Sequence, residues 1–202
     1  AEIDAAFETE IQRGFARYFG DDFDGAEKRF LRAAALRPAA PDALVGATYA
    51  DLRRKRLDAA EARLDAFRSA NGSTPIVERL RVELLRRRDD VEAANALEAS
   101  LPEIVDHLAC LVEGLREFGA AKNGVQGAAT RAAEWFGQAM ERTPKRRRLY
   151  VLLHCEAVGM THAPDAARRA AATARLAAPD WEGEAAAGDR KSTRLNSSHA
   201  TL

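Results

Sequence analysis

The sequence predicts an all-α solenoid built from about five antiparallel helix-turn-helix units. Three observations predict it. The first is a pattern that returns about every 34 residues. Ala26-x3-Phe30-x2-Ala33-x4-Pro38 is followed by Ala60-x3-Leu64-x2-Phe67-x4-Gly72, by Ala132-x3-Phe136-x2-Ala139-x4-Pro144 and by Ala167-x3-Ala171-x2-Ala174-x4-Pro179. A weaker copy centres on Ala94, with Val91 and Leu101 around it. The anchor alanines 26, 60, 94, 132 and 167 stand 34, 34, 38 and 35 residues apart. A fixed period of this size belongs to stacked supersecondary units. The second observation is composition: the commonest residues include Ala, Leu, Arg and Glu, all good helix formers. The third is that alternating β-branched runs, the mark of strands, do not occur.

Each element then follows in order. Ile3, Phe7, Ile11, Phe15 and Tyr18 make an apolar stripe along a first helix. Asp21, Asp22 and Asp24 fall in the turn after it and read as solvation and capping of the next helix, not as a calcium loop. Phe23, Leu57 and Val91 open the second helix of the first three units. Gly20, Gly72, Gly119, Gly124 and Gly159 stand where turns are expected. Thr74-Pro75 and Thr143-Pro144 each put a cap residue before a proline at the first helical position. Ser100-Leu-Pro-Glu103 reads as a capping box, opening a helix from Pro102 to about Gly119. The longer spacing after the third unit is expected to lengthen that helix and loosen the turn at 120–127. A change of stacking angle is expected there. Small anchor residues let two antiparallel backbones approach closely, and a larger side chain would overpack the contact.

These residues resemble the tetratricopeptide repeat family. That family has two small positions flanking a bulky apolar one and a proline at the repeat end, and Gly14 fits its first-helix glycine. The resemblance runs from Phe7 to Pro179. The tryptophan usual in the first helix is absent, and Pro164 stands where the fifth unit should have an apolar residue. The resemblance implies a right-handed superhelix over residues 1–181 and a concave surface made by the first helix of each unit. Carried over position by position, that surface would present Ile11, Phe15, Tyr18 and Phe19, then Val45, Tyr49, Leu52 and Arg53, then Arg79, Glu83, Arg86 and Arg87. Phe15, Tyr18, Tyr49, Arg53, Arg79, Glu83 and Arg86 are the expected partner-binding residues. An aromatic end and a basic end would suit a peptide or protein segment with an apolar anchor and an acidic flank. Ile11, Phe15 and Tyr49 stand where chaperone-binding members carry Lys or Asn, which disfavours chaperone C-termini.

Other features narrow the function. The chain has 202 residues, 47% hydrophobic and 31% charged, with no apolar run long enough to span a bilayer. A formal charge of +0 gives no global field for nucleic acid or membrane. Arg53-Arg54-Lys55-Arg56 and Arg86-Arg87-Arg88 fall in equivalent turns and are expected to complement helix C-termini, with an acidic docking edge as the rival reading. Lys145-Arg146-Arg147-Arg148 opens a helix, where cations oppose the dipole. Cys110 and Cys155 are too few for a disulfide framework and read as buried apolar residues. His107, Cys110, His154, Cys155 and His162 would make a metal site only by converging from two helices, and none is expected. No motif for a phosphate loop, zinc hydrolase or serine hydrolase occurs.

The expectation is therefore a non-enzymatic, cytoplasmic protein-binding scaffold without cofactor, metal or small-molecule substrate. The alternative is the repeat arm of a longer bacterial enzyme (a glycosyltransferase, sulfotransferase or protease) or of a regulator. Residues 182–202 are expected to be a polar, disordered tail. Within it, Asp189 to His199 reads as the in-frame translation of a widely used short-read sequencing adapter and is expected to be non-native.

Overall fold

The computed structural model describes residues 2–143 and 147–161. Within them the chain forms nine α-helices and no strand. They are α1 (Glu2–Phe19), α2 (Phe23–Leu36), α3 (Pro41–Arg53), α4 (Leu57–Asn71), α5 (Pro75–Arg87), α6 (Val91–Ala99), α7 (His107–Lys122), α8 (Ala128–Arg142) and α9 (Arg147–Gly159). Each helix from α1 to α6 packs on the next, and so do α7 to α9. The two runs join through α7, which lies against α5 and α3, and through α9, which touches α1. The copy of the pattern from Ala167, the side chains of the Lys145–Arg148 run, His162 and the 182–202 tail lie outside the described residues.

The turn inside each hairpin repeats in detail. Asp21, Lys55 and Asp89 take left-handed backbone at φ 60°, 59° and 64°, and Gly124 does so at φ 81°. At each, the amide donates three residues back: Asp21 to Tyr18, Lys55 to Leu52, Asp89 to Arg86 and Gly124 to Ala121. The next amide donates five back: Asp22 to Arg17, Arg56 to Asp51, Asp90 to Leu85 and Val125 to Ala120. This is a Schellman ending, which pairs the carbonyls a helix C-terminus otherwise leaves bare. Three of the four turns carry a residue with a Cβ at the left-handed position, although glycine is the cheap choice there.

Small residues set how closely the hairpins close. The anchors Ala26, Ala60, Ala94 and Ala132 are all fully buried. Phe30 lies against Gly14 of α1 and Gly46 of α3, where a Cβ on either glycine would overlap its ring. Phe136 does the same against Gly114 of α7. Phe15 adds an edge-to-face contact with Phe30, ring centroids 4.9 Å apart. α3 is buried on every side from Asp42 to Leu52, because α1, α2, α4, α5 and α7 all pack on it.

Some expected boundaries move. Thr74 caps α5 as read, accepting from Val77 N at 3.3 Å, with Pro75 leading the helix. Asp22 caps α2 by accepting from Gly25 N at 2.9 Å. The capping box at Ser100 does not form: Ser100 ends α6, and its Oγ donates to Leu97 O at 2.6 Å. α7 starts instead at His107, where Asp106 accepts from Ala109 N at 2.8 Å. Gly119 sits inside α7, which runs on to Lys122. Much of the extra length after the third unit goes into the turn at 125–127, where Gly127 (φ 74°) begins α8.

Candidate functional site

The face shared by α1, α3 and α5 is covered. α6 has 9 residues against 14 in α2 and 15 in α4, and non-helical chain at 100–106 then carries α7 onto that face. Tyr49 is 1% exposed, and its hydroxyl donates to Val112 O of α7 at 2.8 Å. Arg79 is buried too: it donates to Pro102 O at 2.5 Å and pairs with Glu113 at 3.4 Å. Glu83, buried, accepts from Arg87 Nε at 2.9 Å. Arg86, part-buried, pairs with Glu98. These four side chains meet Glu113 and Arg116 around a void of about 10 Å³, room for about one water.

At the other end of the face, Phe15 and Tyr18 are buried. Tyr18 packs edge-on to Phe19 (5.3 Å) and Phe23 (5.4 Å), and Phe19 meets Phe118 of α7 at 4.7 Å. Arg53 stays part-exposed, its guanidinium 5.4 Å from the Phe23 ring centroid. Lys122 closes the arrangement with an ion pair to Asp21 at 2.6 Å. So the structure groups Tyr49, Arg79, Glu83 and Arg86, brings Tyr18 within electrostatic reach of Tyr49 and Glu83, and leaves five of the seven expected binding residues under cover. α7 supplies to this face what a guest was expected to bring: apolar Val112 and Phe118, and the carboxylate of Glu113.

Burial shapes the ionisation here. It pushes both the Tyr18 and Tyr49 phenols well above their ordinary value, Tyr49 further helped up by Glu83 and Glu113. It also raises the Glu113 carboxyl, outweighing Arg116 and Arg79.

Three arginines of the basic turns, Arg54, Arg56 and Arg88, are neutralised by the preceding hairpin. Arg54 pairs with Asp24 (2.5 Å) and Glu27 (2.8 Å). Thirty-four residues on, Arg88 pairs with Asp58 (2.8 Å) and Glu61 (2.9 Å) in the same geometry. Arg56 and Arg63 both reach Glu27 and the fully buried Asp51. Burial alone would raise the Glu27 carboxyl, yet Arg56, with Arg63 and Arg54, holds it below the usual range.

The described histidines and cysteines do not converge. His154 Nδ1 lies 2.8 Å from Ala133 O, His107 meets Tyr150 edge-on at 6.1 Å, and Cys110 accepts from Arg142 at 3.2 Å. Among the described residues no three His, Cys, Asp or Glu side chains are placed to hold a metal ion. No described helix is long and apolar enough to cross a membrane.

The sequence reading missed the open surface. α2 and α4 stand on either side of α3 and leave a cleft of about 280 Å³ between them. Phe30, Leu31 and Ala34 form one wall, Phe67 and Ala70 the other, and Ala43, Leu44 and Ala47 the floor. Arg63 and Asn71 are its polar lining residues. Leu31, on the wall, is 45% exposed, and nearby Leu36 is 37% exposed. The signal available in the sequence was Leu31 beside Phe30, one position off the helix face that packs inward. No protein-family model matches the chain, and no curated protein does either.

Proposed function

We propose that this chain is a tetratricopeptide-like right-handed repeat scaffold that binds a segment of another protein, without bond chemistry. The recurrence of one turn geometry at 21, 55, 89 and 124, and of one ion-pair geometry at Arg54 and Arg88, supports the repeat. The bound segment lies in the α2–α4 cleft. The observation that carries this is the cleft itself: open, almost wholly apolar, and walled by an exposed leucine. Rigid helices hold its walls apart, so little ordering entropy opposes binding. Tyr49, Arg79 and Glu83 then serve packing against α7, and Phe15 and Tyr18 packing between α1 and α2, not capture.

The test is selection of displayed random 16-residue peptides on the purified protein, with Leu31→Glu as the control. Leu31 is surface-exposed, so the variant should fold with stability changed by about 0.5 kcal/mol or less. The reading expects a selected pool whose binding falls about tenfold or more on Leu31→Glu, the loss of one buried apolar anchor. A pool that binds both proteins equally, or no pool at all, contradicts it.

A further inference from the structure

We infer that the partner of the α2–α4 cleft is an acidic segment carrying a single large apolar anchor. This inference rests on the scaffold reading above and adds the chemistry of its guest. The cleft's size sets the first part. About 280 Å³ of open apolar space is enough to take one large aliphatic or aromatic side chain.

The charges beside its exposed leucine set the second part. From Lys28 to Pro41 the chain carries Lys28, Arg29, Arg32 and Arg37 and no acid. Two of these cations are engaged elsewhere: Arg29 pairs with Glu10 at 3.1 Å, and Arg37 pairs with Asp4 at 3.7 Å and covers the Phe7 ring. On the opposite wall Asp65 is answered by Arg68 at 3.1 Å. Lys28 and Arg32 remain. Both are exposed, neither ion-pairs among the described residues, and they bracket Leu31 three residues before and one after.

They also stand i, i+4 on one helix. Two like charges in that relation repel each other when nothing lies between them. A carboxylate beside the anchor would turn that repulsion into two attractions. By contrast, Arg54 and Arg88 in the turns are answered by carboxylates of the preceding hairpin. Lys28 and Arg32 flank the exposed leucine of the cleft's wall. The same leucine and cations could face an anionic bilayer, but a concave cleft favours an inserted side chain over a flat lipid surface.

The experiment reads the composition of the peptides selected above, on wild type and on Lys28→Glu with Arg32→Glu. Wild type should return one large apolar residue flanked by an excess of Asp and Glu. Those peptides should bind the doubly reversed protein about threefold to tenfold more weakly, the scale of two exposed charge pairs. High salt should erase the difference. A Leu31-dependent pool with no acidic excess, or one indifferent to the charge reversal, overturns the acidic partner while leaving the scaffold reading in place. A pool indifferent to Leu31 overturns both. Sedimentation of the protein with phosphatidylserine vesicles that is lost in Leu31→Glu overturns the peptide partner in favour of a membrane. None is expected.

Discussion

Gly46 shows how much of this fold depends on single missing methyl groups. Phe30 reaches across the hairpin and lies against two glycines, one on each neighbouring helix. A Cβ at position 46 would overlap the ring, which Gly14 also approaches too closely for a Cβ of its own. Gly46→Ala, although it favours the helix locally by up to about 1 kcal/mol, is therefore expected to lower stability by about 1–3 kcal/mol. Urea unfolding of the two proteins checks this, and an unchanged or raised midpoint would show that the ring is not clamped. At this scale much was legible. The recurring alanines at 26, 60, 94 and 132 and the aromatic at 30 and 136 could be read from spacing alone, because a close helix crossing admits only small side chains on one side. Gly14 was read in its place; Gly46 and Gly114 were not singled out, since nothing in a sequence says which glycine meets which ring.

At the scale of the element, the hairpin turn is the most repeated object in the molecule. Its left-handed residue is Asp, Lys, Asp and Gly in successive units. Aspartate tolerates that backbone better than lysine, because its short side chain bonds locally. Lys55 is also exposed and makes no ion pair among the described residues. Lys55→Gly should therefore raise stability by about 0.5–1 kcal/mol, the relief of the left-handed strain less the entropy glycine adds to the unfolded chain. Lys55→Val should lower it. Thermal unfolding of both variants decides, and a loss of stability in Lys55→Gly would mean that the turn is not strained. Helix starts were less legible than turns. Ser100 and Glu103 have the spacing of a capping box, but Asp106 competes for the same role and wins six residues later. Local capping rules rank candidates without knowing where the helix must lie to bury Leu111 and Leu115.

At the scale of the whole molecule, the sequence reading and the structure part company. The spacing of anchors foretold about five helical hairpins in sequence, and the described residues form nine helices that pack largely one on the next. It could not foretell that a short α6 and the chain at 100–106 would bring α7 back over α3 and α5. Contacts such as Tyr49 with Val112, or Lys122 with Asp21, join residues 63 and 101 positions apart. No local pattern encodes them. Family-derived positions for an open groove consequently fell on buried residues. The open apolar surface lies on the other side of α3.

The central claim is that α7 fills the face shared by α1, α3 and α5. It can be tested on the unmodified protein, because its three tyrosines, Tyr18, Tyr49 and Tyr150, are all buried in the structure. The measurement is a spectrophotometric titration of tyrosinate, followed in parallel with helical circular dichroism. Tyr18 and Tyr49 keep their protons more tightly in the fold than out of it. The unfolded chain therefore loses protons first as pH rises past about 10, and stability falls from there. The account expects little tyrosinate while the helices are intact, and its appearance together with their loss. Two or more phenols ionising near pH 10 with the helical signal unchanged would show at least one of Tyr18 and Tyr49 open to water, and the covered face would be wrong.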